Sequence, residues 1–174
     1  MNSSSITLRP FRVTDTDDIM LSMADDRVTR NLRRKTITSK EEALTFIREV
    51  CIPHPWRRSI CVDDRSIGSI SISPGTGDER CRAEIGYAIA VDYWGQGITT
   101  MAVKMALSQV FKDFPDVVRL QAYVNAENKA SQRVLEKAGF LKECLVRKYA
   151  YLKGKLQDLV IYSFLSTDTI PADP

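Results

Sequence analysis

Between Glu84 and Ala106 the chain passes from strand-like alternation, through a Gly-x-Gly turn, into helical spacing, and nothing else in its 174 residues restricts the fold as sharply. Glu84-Ile85-Gly86-Tyr87-Ala88-Ile89 reads as a strand. Asp92-Tyr93-Trp94-Gly95-Gln96-Gly97-Ile98-Thr99-Thr100 reads as the turn and the first helical residues, and apolar residues recur at helical intervals from Met101 onward. A strand that feeds a glycine turn opening a helix aims several unpaired backbone N–H groups, and the positive end of the helix dipole, at one point. That geometry suits a phosphate or a pyrophosphate. An ordinary strand–helix turn uses the same glycines, so the reading needs a second signal.

Two familiar glycine loops do not fit. A dinucleotide fingerprint needs a third glycine where this chain has Thr100, and no acidic residue closes the unit at the expected distance. The Gly-Lys-Ser/Thr ending of a P-loop occurs nowhere.

The second signal is Val124 to Phe140. A strand over Val117–Val124 is followed by a helix over Asn128–Ala138, with Asn128 at its start, Ala130, Val134, Leu135 and Ala138 as its apolar stripe, and Gly139 as its stop. Tyr93-Trp94-Gly95-Gln96-Gly97-Ile98-Thr99-Thr100, then Asn128-x-x-Ser131, then Lys137-Ala138-Gly139-Phe140 resembles the GCN5-related N-acetyltransferases (GNAT). Leu8-Arg9-Pro10-Phe11 with Asp15 to Asp18, and Ile67-Gly68-Ser69-Ile70 before Glu84-Ile85-Gly86-Tyr87, look like the branch containing the ribosomal-protein N-terminal acetyltransferases. The resemblance runs from about Ile6 to Phe164.

The resemblance implies acetyl transfer from acetyl-CoA to a primary amine, of a protein N-terminus or a small molecule, by direct attack on the thioester, with CoA as product. It assigns the pyrophosphate to the backbone of Gly95, Gln96, Gly97, Ile98, Thr99 and Thr100, although the family usually has Gly or Ala at the place of Thr99. Trp94 stands where Gln or Arg is common, which implies packing in place of a polar contact. Ala88 and Ile89 would face the pantetheine arm, with the Ile89 N–H as oxyanion donor. Asn128 matches a residue that bonds the cofactor arm, and it also reads as a plain helix cap. Ser131 matches a proposed acid toward the departing thiolate, and it also reads as an exposed first-turn serine. Glu84 matches a recurring Glu and is the candidate base; a salt-bridged strand Glu is the other reading. In relatives acting on ribosomal proteins a further carboxylate follows the Gly-Phe pair, at a place held here by Ala150 between Tyr149 and Tyr151. A non-catalytic acyl-CoA-binding sensor or scaffold is the alternative function.

The choice of amine has an energetic side. Neutralising a lysine-like amine of pKa near 10.4 at pH 7 costs about 4–5 kcal/mol, whereas an α-amine near 7.7–8.0 costs only about 1 kcal/mol. A site thin in bases therefore favours an α-amine.

Length and composition set outer bounds. The chain is expected to form one α/β domain over 1–174, its core about 6–165, with a mixed, mostly antiparallel sheet flanked by helices on both faces. A net charge of +3, with bases and acids interleaved, implies no nucleic-acid partner. Its one basic cluster, Arg30 to Lys35, reads as a solvated loop or as a contact to an acidic substrate or to the 3′-phosphate of CoA. Cys51, Cys61, Cys81 and Cys144 form no C-x-x-C pair, and the single histidine, His54, sits between prolines; free buried thiols, no metal site and no nucleophile–histidine hydrolase are expected. No signal sequence or membrane-length apolar run is visible, which places the chain in the cytoplasm, as monomer or homodimer, with no membrane partner.

Remaining elements follow from local signals. Strands are expected at Ile6–Arg12, Arg58–Val62, Ser66–Ser73, Arg82–Ile89, Leu141–Tyr149 and Gln157–Phe164, with a hairpin at Asp63-Asp64-Arg65. Helices are expected at Thr14–Met23, from Thr38/Ser39 to Pro53, and from the glycine turn to Pro115, the last turning Met101, Ala102, Met105, Leu107 and Val110 inward. Acceptor contacts are expected in 27–37, 53–57 and 149–155.

Overall fold

The computed structural model describes residues 5–172. Seven strands form one sheet in the order β1-β2-β3-β4-β5-β7-β6, mostly antiparallel and flanked by helices. The chain divides into two compact units, one comprising the residues up to Ser71 with Tyr87–Ala102, the other Ile72–Gly86 with the residues from Val103 onward. Strands β3 and β4 and helix α4 run from one unit into the other.

In the first unit β1 (Ile6–Arg9) pairs antiparallel with β2 (Arg57–Val62), and β2 with β3 (Arg65–Pro74). The β2–β3 hairpin closes through Asp63 and Asp64, both left-handed at φ +50° and +64°, the conformation a two-residue turn of this hand requires. β1 stops at Arg9, short of the expected Arg12, because Pro10 has no N–H to give a ladder. Asp15 is 3% exposed and accepts two hydrogen bonds from the Arg9 guanidinium at 2.8 and 2.9 Å and one from the Arg12 amide at 2.8 Å. The Arg9…Asp15 motif is therefore a buried ion pair tying β1 to the start of α1 (Thr16–Met23). The first turn, Val13–Asp15, is 3-10, so the α-helix begins two residues later than expected.

A four-residue helix, α2 (Asp26–Thr29), occupies part of the segment read as loop, with the Asp25 carboxylate capping the Arg27 amide. α3 (Lys40–Phe46) begins at Ser39, whose hydroxyl accepts from the Glu42 amide, and continues as a π-turn over Ile47–Cys51. Phe11, Ile19, Met23, Val28, Ile37, Ala43, Phe46 and Ile47 form this unit's core.

In the second unit β4 (Arg82–Ile89) runs parallel to β5 (Arg119–Asn125), which pairs antiparallel with β7 (Lys155–Leu165), itself antiparallel to β6 (Leu141–Leu152). β5 starts two residues later than expected, and β6 and β7 extend beyond their expected ends. α4 (Ile98–Asp113) and α5 (Lys129–Lys137) complete the unit. Leu120, Ala122, Val124, Val160, Tyr162 and Phe164 are buried, and Phe164 packs against Phe111 and Phe140 with ring centroids 6.3 and 5.6 Å apart.

Three expectations about burial fail. Met101 is 42% exposed, so the inward stripe of α4 starts at Ala102. Ala130 faces solvent and Gln132 is buried in the stripe of α5, its amide donating to the Ala126 carbonyl at 3.0 Å, which makes a polar side chain tolerable there. Cys51 and Cys61 are buried free thiols, but Cys81 and Cys144 are exposed. No described helix is long and apolar enough to cross a membrane.

Candidate active site

The turn after β4 lies wholly in the first unit. The Ala90 amide donates to the Ile67 carbonyl at 2.8 Å, anchoring the end of β4 on β3. A 3-10 turn over Val91–Tyr93 follows, and the Trp94 amide donates to the Val91 carbonyl at 3.0 Å. The Trp94 indole N–H then reaches back to the Ile89 carbonyl at 3.0 Å while the ring stays 46% exposed. The expectation that Trp94 only packs is thereby corrected: the ring supplies a polar tie across the turn.

Gly95 and Gly97 have φ of +72° and +79°, and a Cβ built on either would meet nothing within 4 Å. Glycine is needed there for its backbone conformation, and the open side leaves room for a ligand to approach the main chain. The Gln96 side-chain amide donates to the Asp92 carbonyl at 2.9 Å, folding that side chain back onto the turn. The first helical bond of α4 runs from the Met101 amide to the Gly97 carbonyl at 3.0 Å. The amides of Ile98, Thr99 and Thr100 precede that bond and have no carbonyl four residues back within the helix. These N–H groups, two open glycines and a helix start make a cradle that fits a diphosphate.

Gly68 on β3, quoted above only within the Ile67-Gly68-Ser69-Ile70 stretch, lies hard against β4. A Cβ there would lie 2.2 Å from the Ala88 carbonyl oxygen and 2.7 Å from the Ile89 Cα. The backbone of β4 thus passes against β3 at a distance only glycine allows. A glycine inside the Ile67-Gly68-Ser69-Ile70 strand was the available signal.

In the second unit Asn128 caps α5, its Oδ1 accepting from the Ser131 amide at 3.2 Å. The cap reading of Asn128 is realised, and the first turn of α5 holds Asn128 and Ser131 together, Ser131 half-buried. Glu84 is exposed on β4 and sits beside Gln121, the last pair of the β4–β5 ladder. Neighbours in a parallel ladder share a face, so Glu84 stands with Arg119, Gln121 and Tyr123. On that face the Arg119 guanidinium donates twice to Glu143 at 2.7 Å and once to the Gln121 Oε1 at 2.9 Å, and the Gln121 amide donates to the Tyr123 hydroxyl at 3.1 Å. The Tyr123 ring stacks on Tyr149, centroids 5.8 Å apart. Burial raises the Tyr123 phenol above its ordinary value, and Tyr149 and the Glu84 charge add to that. Glu143, bonded by Arg119 and by the Ser163 hydroxyl, is held down to about 2.

The structure thus gathers Ala88, Ile89 and Gly95–Thr100 in one unit and carries Glu84, Asn128 and Ser131 on the other. Ala150, at the place of the missing carboxylate, lies on β6 opposite Gln157.

Residues 5–141 match the acetyltransferase (GNAT) domain family. The uncharacterized N-acetyltransferase p20 of Bacillus licheniformis is 30% identical over 169 residues, covering 94% of each chain. Mycobacterium smegmatis RimJ, solved in complex with CoA-disulfide, superposes with a TM-score of 0.78 at 26% identity, covering 92% of this chain and 82% of that one. A Salmonella typhimurium acetyltransferase that modifies the N-terminal serine of 50S ribosomal protein L7/L12 shares the fold, with a TM-score of 0.76 at 20% identity over 94% of this chain and 96% of its own. With the cradle at Gly95–Thr100 and these matches together, the chain belongs to the GNAT acetyltransferases.

Proposed function

We propose that this chain, acting as a single functional domain, transfers an acetyl group from acetyl-CoA to a primary amine, with an α-amine favoured over a lysine side chain. The observation that carries the reading is the run of main-chain amides around two left-handed glycines at the start of α4. RimJ, a relative at this level of identity, was solved with a CoA species, which supports CoA as the ligand of that cradle.

Acetyl-CoA supplies the acetyl thioester. The chain does the rest. The amides from Gly95 to Thr100 hold the diphosphate, each charge-assisted contact contributing about 1.5–3 kcal/mol. Ala88 and Ile89 present backbone groups to the pantetheine arm, and the Ile89 N–H stabilises negative charge on the acetyl oxygen. Removing a donor of that kind typically costs about 10²–10³ in turnover. Glu84 takes a proton from the amine, Asn128 bonds the cofactor arm, and Ser131 gives a proton to the thiolate that leaves.

A protein or peptide N-terminus is the favoured acceptor class. The relative that modifies the N-terminal serine of L7/L12 motivates it, and so does the low cost of deprotonating an α-amine. The test is release of CoA thiol with N-terminal peptides, polyamines, lysine peptides and aminoglycosides. Fastest turnover with N-terminal peptides is expected. Release with none of the amines, despite CoA binding, would point to an acyl-CoA sensor instead.

A further inference from the structure

Strand β6 breaks its pairing with β7 beside the tyrosine stack. Val146 faces Leu159 and Ala150 faces Gln157, so Arg147, Lys148 and Tyr149 stand against Asp158 alone. Lys148 is left-handed at φ +48°, and its amide donates to the Asp158 carboxylate at 2.8 Å. A lysine adopts that conformation at a cost, which the Asp158 bond offsets in part. Such a bulge re-aims a side chain. This one turns Tyr149 over the sheet, where its ring stacks on Tyr123 with the planes 14° apart. Tyr149 stays 49% exposed, so the stack covers one side of the ring and solvent reaches the rest.

The charges on this face do not cancel. Arg82 and Glu84 lie two residues apart on β4 and therefore share one side of the sheet. Arg82 pairs with Glu79 at 2.7 Å, and Arg119 on β5 pairs with Glu143 at 2.7 Å. Glu84 is exposed and, among the described residues, takes part in no hydrogen bond or ion pair. After burial and Tyr149, the Glu84 charge raises the Tyr123 phenol, so the carboxylate is within electrostatic reach of the stack. Of the charges that β4 and β5 carry on this side, that of Glu84 is left uncompensated.

A carboxylate beside the negative face of a phenol ring attracts a cation. An ammonium matches both groups, because its N–H bonds donate to the carboxylate while its charge sits over the ring. A neutral or anionic ligand gains neither contact.

We propose that Tyr149, backed by Tyr123, seats the ammonium form of the acceptor amine beside Glu84. The proposal rests on the acetyl-transfer reading and deepens it, by naming a residue that receives the charged amine. The amine loses one N–H proton to a Glu84 carboxylate oxygen, and the lone pair left on nitrogen attacks the thioester carbon. The amide product is neutral, so the ring no longer holds it. Every residue of this seat belongs to the second unit.

The test compares propylammonium with propanol, its neutral counterpart, by NMR titration of the full chain without acetyl-CoA, so that neither probe reacts. Wild type binds propylammonium more tightly than propanol. Tyr149→Leu, which keeps an apolar side chain, weakens propylammonium binding about two- to fivefold, the worth of a cation–π contact at an exposed site. Tyr149→Phe keeps the ring face and stays within about twofold of wild type. Glu84→Gln weakens the binding as well. Equal binding of the two probes marks an apolar seat and overturns the proposal, as does equal propylammonium affinity of wild type and Tyr149→Leu.

Turnover supplies the second arm. With a peptide that begins with serine, Tyr149→Leu raises the acceptor KM by the same factor and leaves the KM for acetyl-CoA unchanged. An acceptor KM equal to that of wild type overturns the functional part. Propylammonium binding with the expected losses, but no turnover with any amine, would sink the acetyl-transfer reading and leave the ammonium seat standing.

Discussion

The Trp94 indole donates to the Ile89 carbonyl at 3.0 Å, so the residue whose amide is assigned to the acetyl oxygen is fixed from its other side by the turn that follows it. Trp94→Phe keeps the ring and removes that bond. A fall in kcat/KM for acetyl-CoA of about two- to tenfold is expected, the worth of one neutral hydrogen bond. Steady-state kinetics at varied acetyl-CoA measure it, and unchanged kinetics would mean the tie does not position Ile89.

A backbone donor cannot be deleted by mutating its own side chain, but Gly68 offers an indirect route. The Cβ of Gly68→Ala would overlap the Ala88 carbonyl oxygen at 2.2 Å, and β4 must shift to admit it. Overpacking of this kind costs about 1–3 kcal/mol of stability. Turnover should fall at least about tenfold, since a displaced oxyanion donor costs up to about 10²–10³. The comparison is kcat against acetyl-CoA affinity by calorimetry, and a variant of normal kcat would remove Ile89 from the chemistry.

The expected outline of β4, Arg82–Ile89, agrees with the structure because alternation and flanking turns are both strong there. Asn128 as a cap and Pro115 as the limit of α4 were equally visible, since each acts locally, Asn128 through its side-chain oxygen on the Ser131 amide and Pro115 through its missing N–H. Less was legible where the cause lies far along the chain. The Trp94 bond to Ile89 depends on the shape of the turn, and the approach of Ala88 to Gly68 depends on strand packing. Met101 and Ala130 look inward on a helical wheel, yet the width of the buried stripe is set by what packs on it.

The Arg119–Glu143 pair makes an acid-stability test. Arg119 and Ser163 hold Glu143 down to about 2, below its ordinary 4.5. A depressed carboxylate contributes stability in full above its unfolded value, and loses it as pH falls from about 4.5 toward 2. With both side chains roughly one-quarter to one-third exposed, the contribution is about 1 kcal/mol after solvent screening. Glu143→Gln should therefore lower the melting temperature at pH 7 and narrow its gap to wild type near pH 2. A constant gap across that window would contradict the pairing.

Proton transfer distinguishes the two amine classes. Glu84→Gln should cut kcat by about 10²-fold or more, and Ser131→Ala by less, if each moves its proton directly. In one peptide carrying a free N-terminus and a lysine, mass spectrometry should find the terminal amine acetylated first, because its neutral form costs about 3–4 kcal/mol less to reach. Lysine acetylated first would overturn the acceptor class proposed.

Calorimetric titration of acetyl-CoA into wild type, Gly97→Ala and Gly97→Asp is the most direct measurement. Gly97 has φ +79° with open space beyond it, so alanine tests backbone strain alone, about 1–2 kcal/mol, while aspartate adds a carboxylate where the diphosphate is assigned. The expected result is saturable binding to wild type, modest weakening with alanine, and a loss of about a hundredfold or more with aspartate. Equal affinity of wild type and Gly97→Asp would contradict the placement of the diphosphate at the start of α4.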